Sequence, residues 1–136
     1  MKFKIIDPEC VPYKKYPTDA GYDLKSSESI VICPGEVKKI GAGICAEIPK
    51  GYVGDIRPRS SISARGLILP LGTVDYGYTG EIGIILINTS RYATHITKGE
   101  RIAQLVITPC LTEDIEIVDE LPESERGANG FGSTGK

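Results

Sequence analysis

The chain has no tryptophan, two phenylalanines, a single histidine and a single methionine, and its apolar runs are far too short to cross a bilayer. A histidine metal cluster is therefore excluded, and a histidine-dependent catalytic triad would have to be built on His95 alone, which reads better as a structural or surface residue. Cys10, Cys33, Cys45 and Cys110 lie far apart without a Cys-x-x-Cys pair, so neither a zinc site nor a redox motif is supported and buried or idle thiols are expected. The opening Met-Lys-Phe-Lys-Ile-Ile-Asp-Pro breaks off before a signal-peptide core could form. A cytoplasmic location is the expectation, with nuclear or viral-host-cell settings left open. Formal net charge is −2, with Lys and Arg scattered. No nucleic-acid footprint and no membrane partner are expected, and a polyanionic ligand must be met by local positive charge.

What is abundant is punctuation. Sixteen glycines and nine prolines interrupt runs rich in Ile, Val, Leu, Thr and Tyr, the rhythm of an all-β domain. At 136 residues one domain is expected. The pattern predicts strands over residues 3–6, 29–32, 37–46, 52–57, 67–69, 81–88, 101–108 and 115–118. No long helical period alternates with them, which excludes the βαβ nucleotide folds. One short helix is predicted over residues 60–65, with a Ser cap and Gly66 ending it in the left-handed conformation. Residues 82–87 are apolar almost throughout, which predicts burial on both faces, the second against another subunit. From residue 122 the chain is polar and glycine-rich, predicting a flexible arm, 122–136, after a domain of residues 1–121.

Five segments concentrate polar or flexible residues. Asp19-Ala20-Gly21-Tyr22-Asp23-Leu24 sets an acid beside small residues at a strand start, although Asp next to Gly also marks an ordinary turn. Arg57-Pro58-Arg59-Ser60-Ser61 puts guanidinium and hydroxyl donors at the helix start, equally an anion site or a cap with a surface ion pair. Gly72-Thr73-Val74-Asp75-Tyr76-Gly77-Tyr78-Thr79-Gly80 is hairpin-like, with one carboxylate that becomes catalytic only if phosphate-binding groups come close to it. Gly99-Glu100-Arg101-Ile102-Ala103-Gln104-Leu105 holds an uncharged Gln104 on a strand, a polar site or a satisfied core amide. The terminal Gly-Phe-Gly-Ser-Thr-Gly-Lys matches phosphate-loop spacing without the preceding strand and following helix that such a loop needs, and so reads as phosphate-gripping backbone in a tail.

Taken in order, these segments resemble the five motifs of the homotrimeric dUTP pyrophosphatases, the dUTPase family, over residues 19–135. The resemblance implies a jelly-roll-like β-barrel and hydrolysis of dUTP to dUMP and pyrophosphate, which limits uracil incorporation into DNA and supplies dUMP for dTMP synthesis. It implies Asp75 as the base that activates water for in-line attack on the α-phosphorus. It places Arg59, Ser60, Ser61, Gln104, Arg126, Gly132, Ser133 and Thr134 on the phosphates, with Arg59 supported through Asp23. Leu69, Leu71, Gly72, Val74 and Asp75 would line the base and sugar, with Tyr78 against the deoxyribose and Phe131 stacked on uracil. Lys136 is the residue least expected to matter. Mg²⁺ would be held by the substrate phosphates and waters, with no direct protein ligand and Asp23 and Gln104 behind the water shell. Three subunits would share each site, one giving Asp23, Ser60 and Gln104, another the Asp75 hairpin, a third the tail.

Where the family reads uracil through hairpin backbone, this chain has Leu69-Pro70-Leu71-Gly72, and Pro70 lacks an N–H. A leucine side chain crowding the uracil 5-position would exclude thymine. A dCTP deaminase shares the fold and an Arg-Ser-Ser segment, but needs a glutamate where this chain reads Gly83-Ile84-Ile85-Leu86-Ile87. A catalytically silent nucleotide-binding regulator of the same fold is the second alternative.

Overall fold

A computed structural model describes residues 1–128. The strands form four antiparallel sheets: β1 (Lys2–Ile5) pairs with β5 (Ile44–Glu47), and β3 (Ile30–Ile32) with β10 (Thr94–Ile96). A third sheet runs β4 (Val37–Gly41), β9 (Gly83–Asn88), β7 (Leu67–Ile68), and the largest runs β2 (Gly21–Lys25), β11 (Arg101–Pro109), β6 (Tyr52–Pro58), β8 (Gly72–Val74). Sequential strands rarely pair with each other, as expected when a jelly-roll-like barrel is wound from long-range pairs. The inward residues of all four sheets meet in one core, with Leu24, Ile32, Ile40, Ile44, Ile84 and Leu105 fully buried.

The expected strand 37–46 is two strands. Gly43, at φ +63°, turns the chain between β4 and β5, and a Cβ there would lie 2.7 Å from the Cβ of Cys10. The two halves join different partners, β4 with β9 and β5 with β1, so one apolar run serves two sheets. Residues 115–118 form no strand: Ile115 and Ile117 are almost wholly exposed, because β-propensity produces a strand only where an edge is offered for pairing. Strands β2, β8 and β10 are additional to the regular pattern, and Pro8–Cys10 forms a 3₁₀ turn capped by the Asp7 carboxylate.

The helix, α1 (Ser60–Ser63), is shorter than expected, and its cap is Arg59 rather than a serine, with no side-chain capping bond. Gly66 does adopt the left-handed conformation, at φ +77°. The run 82–87 is not buried on both faces of this chain. Ile82, Ile84 and Leu86 point into the core, whereas Ile85 lies outside with Val37 and Ile68, leaving an apolar stripe on β4, β9 and β7. No helix among the described residues is long and apolar enough to cross a membrane.

Candidate active site

Cross-strand register assembles the phosphate-side residues. Asp23 on β2, Gln104 on β11 and Arg57 on β6 stand opposite one another in a row, so their side chains share one face while Leu24, Leu105 and Ile56 fill the other. Gly21 makes room for this row, since a Cβ there would lie 3.2 Å from Gln104 Oε1 and 2.9 Å from the Leu105 carbonyl oxygen. Gln104 Nε2 donates to the Pro58 carbonyl at 3.1 Å, tying it to the segment that leads into Arg59.

Arg59 Nε lies 2.9 Å from Asp23 Oδ1, and Arg59 Nη1 donates to the Arg101 carbonyl at 2.9 Å. Asp23 Oδ2 is held in turn by Arg101 Nη1 at 3.1 Å. One carboxylate thus sits between two guanidiniums, and the group keeps a net positive charge on a half-exposed surface suited to a polyanion. The exposed Ser60 and Ser61 open α1 beside it, with first-turn N–H groups that no helical carbonyl can reach. Four residues are too few for a useful helix dipole, so attraction for an anion rests on the guanidiniums. Arg101 is absent from the residues expected from sequence. Nothing in the local pattern of β11 shows that its side chain crosses to β2.

The second group is the hairpin after β8. Gly77, at φ +85°, turns the chain, and the Tyr78 N–H donates to the Asp75 carbonyl at 3.2 Å, leaving the Asp75 carboxylate exposed. The Tyr78 hydroxyl donates to the Glu81 carbonyl at 3.0 Å, which fixes the half-exposed ring against Gly80. Glu81, the acid nearest the strand that a deaminase would use, accepts from the Gly43 N–H through Oε1 at 2.9 Å and holds the β4–β5 turn. A cavity of about 580 Å³ runs along the hairpin between Tyr76, Tyr78, Phe3, Lys4 and Cys45, and another of about 230 Å³ adjoins Asp75, Tyr76, Lys50 and Tyr52. Leu69 and Val74 point into the core and can offer a ligand only backbone, whereas Leu71 is 67% exposed and is the leucine able to crowd a base.

The two groups are not brought together in one chain. Val74 pairs with Gly54, near the start of β6, so Asp75 lies toward Val53 while Arg59 follows the other end of the strand. The stretch from Val53 to Arg59 is extended over roughly 20 Å. Arg126 is the last expected site residue within the described part; Phe131, Gly132, Ser133, Thr134 and Lys136 lie outside it.

A dUTPase family model matches residues 8–135, taking in all five motif segments. The chain belongs to the dUTPase family. It is 47% identical to the deoxyuridine 5'-triphosphate nucleotidohydrolase of Nautilia profundicola, over 100% of this chain and 99% of the relative. It is 48% identical to that of Clostridium novyi, over 97% of this chain and 95% of the relative. The fold is similar to a solved mutant dUTPase of Staphylococcus bacteriophage 80alpha with dUpNHpp, with a TM-score of 0.93 and 34% identity over 99% of this chain and 98% of that one. A mutant dUTPase from phage phi11 of S. aureus, described with a structural Mg(II) ion, aligns with a TM-score of 0.84 and 28% identity over 90% of this chain and 98% of that one. As a dUTPase-family fold the chain is all-β and jelly-roll-like.

Among the described residues no three His, Cys, Asp or Glu side chains converge to cage a metal. Both oxygens of Asp23 already accept from arginine, which fits a role behind metal-bound water better than direct ligation. All four cysteines are free; Cys10 and Cys45 are buried, and burial pushes the Cys10 thiol up. His95 is exposed, and its carbonyl accepts from Arg65.

Proposed function

We propose that this chain hydrolyses dUTP to dUMP and pyrophosphate. Asp75 takes a proton from a water that attacks the α-phosphorus, the bond from that phosphorus to its bridging oxygen breaks, and pyrophosphate leaves. Arg59, Ser60, Ser61 and Gln104 hold the phosphates and Tyr78 packs against the deoxyribose, excluding a 2′-hydroxyl. Leu71 approaches the uracil 5-position, with Gly72 and the backbone of Leu69 and Val74 completing the base pocket. Residues 122–136 form an arm over the site, Arg126, Gly132, Ser133 and Thr134 on the γ-phosphate and Phe131 on the base. Mg²⁺ carried by the triphosphate would supply charge neutralisation, with Asp23 and Gln104 placed to accept hydrogen bonds from its waters. The activity rests on a family match that spans all five motifs together with full-length relatives named for this reaction.

The site is divided between subunits of a trimer. One observation carries this reading: a base must come within about 3 Å of the proton it abstracts, directly or through one water. The course of β6 nevertheless separates Asp75 from the Arg59 cluster by roughly 20 Å. A second copy presenting its hairpin closes that gap, and the apolar stripe of Val37, Ile68 and Ile85 supplies a face for a neighbour. The decisive assay is pyrophosphate release from dUTP, dTTP, dCTP and UTP with and without Mg²⁺, using the native chain and Asp75→Asn. The expected result is turnover of dUTP alone, dependent on Mg²⁺, falling at least about 10³-fold in Asp75→Asn with dUpNHpp binding retained. Ammonia from dCTP, or unchanged turnover in the variant, would overturn it.

A further inference from the structure

Tyr13 lies outside all five motif segments, yet it touches the phosphate-side cluster in two independent ways. Its backbone forms an isolated antiparallel bridge with Asp23: the Asp23 N–H donates to the Tyr13 carbonyl at 2.7 Å, and the Tyr13 N–H to the Asp23 carbonyl at 3.1 Å. Its ring lies under the Arg101 guanidinium, whose central carbon is 5.0 Å from the ring centroid. Arg101 reaches across from β11 to Asp23 Oδ2, while Asp23 Oδ1 receives Arg59.

We infer that Tyr13 is a positioning residue for the triphosphate. Its backbone fixes where Asp23 stands, and its ring fixes the second guanidinium that shares the Asp23 carboxylate. The two guanidiniums repel each other and are both partly exposed, so among the described residues the shared carboxylate and the ring are what restrain the Arg101 side chain from swinging into water. If Arg101 leaves, Asp23 has one cation left to pair with, and a net positive cluster becomes a neutral Arg59–Asp23 pair. A polyphosphate then meets less positive charge and a guanidinium bound more tightly to its own carboxylate. The ring makes the contact, so phenylalanine keeps it and tryptophan, the strongest π-face, holds the cation at least as well.

The inference rests on the assignment of Arg59 and Asp23 to the phosphates, and the experiment separates the two. Tyr13→Leu, Tyr13→Phe, Tyr13→Trp and Arg59→Ala are compared by steady-state dUTP hydrolysis and by dUpNHpp binding, with thermal midpoints recorded. Tyr13→Leu is expected to raise KM and the dUpNHpp Kd roughly threefold to fivefold. Its kcat stays within about twofold, because the lost interaction serves ground and transition states alike. Tyr13→Phe is expected to match the native chain and Tyr13→Trp to match or improve on it. Unchanged KM in Tyr13→Leu while Arg59→Ala is impaired would overturn the role of Tyr13 alone, as would equal impairment in Tyr13→Leu and Tyr13→Phe. If Arg59→Ala itself leaves KM and kcat unchanged, the phosphate-side assignment fails instead. Should Tyr13→Leu be too unstable to assay, Tyr13→Met, which keeps bulk without a π-face, takes its place: a raised KM supports the inference and an unchanged KM overturns it.

Discussion

Gly80 makes room for the ring of Tyr78, the residue proposed to pack against the deoxyribose. A Cβ at this position would lie 2.5 Å from the Tyr78 hydroxyl oxygen and 2.7 Å from the ring carbon that bears it. Gly80 has no positive φ, so alanine is tolerated by the backbone and the ring must move. Moving it breaks the Tyr78 hydroxyl bond to the Glu81 carbonyl, a contact worth roughly 0.5–1.5 kcal/mol. Gly80→Ala is therefore expected to lower the preference for dUTP over UTP, measured as the ratio of kcat/KM values, by roughly twofold to tenfold with little change in fold. An unchanged ratio would mean that Tyr78 does not bound the sugar. At this scale motif spacing singles out Asp23 and Gln104, which the fold sets opposite each other, and Asp75, which it leaves exposed after β8. It does not single out Arg101 or Tyr13, whose contacts with each other and with Asp23 come from strand pairing and ring stacking that no local spacing records.

Strands were legible as runs of aliphatic, β-branched and aromatic residues set between turn signals, apolar almost throughout in β9, and the predicted positions of β1, β6, β9 and β11 agree with the fold to within a few residues. They were not legible where pairing, rather than propensity, decides: β4 and β5 read as one run until Gly43 divides them, and residues 115–118 read as a strand but have no edge to join. The β6–β11 pair also carries a charged brace on its outer face. Asp55 Oδ2 accepts from Arg57 Nη2 at 2.7 Å and from Thr108 Oγ1 at 2.9 Å. The Arg57 bond first, and then the Thr108 hydroxyl, hold the Asp55 carboxyl below its ordinary range despite the opposing effect of burial. A carboxyl whose folded pKa is depressed stabilises the fold above its unfolded value, near about 3.9, and loses that contribution as pH falls through the folded value. Asp55→Asn should thus lower the urea midpoint at pH 7, and the gap to the native chain should narrow below about pH 4. Equal midpoints at pH 7 would show that the brace contributes nothing to stability.

For the whole molecule, the barrel supplies rigid but distant platforms: one end of the β2–β11–β6–β8 sheet carries the two guanidiniums, and the other carries the exposed Asp75 hairpin. Composition and punctuation made the all-β class readable, whereas the separation of the two groups came only with the motif resemblance, because no local pattern records which way β6 runs between them. If neighbouring copies complete each other's sites, two variants broken in different halves must repair one another when mixed. Asp75→Asn keeps an intact phosphate side, and Arg59→Ala keeps an intact hairpin. After the two inactive proteins are unfolded together in equal amounts and refolded, random trimers would contain both intact halves in about a quarter of their sites. The expected dUTPase rate is therefore about a quarter of that of the native chain treated identically, against almost none for either variant refolded alone. Were each site built within a single chain, no mixture could contain an intact one, and activity would stay at the level of the separate variants. Titrating the mixing ratio adds a second check, because shared sites require the rate to peak at equal proportions and to fall symmetrically on either side.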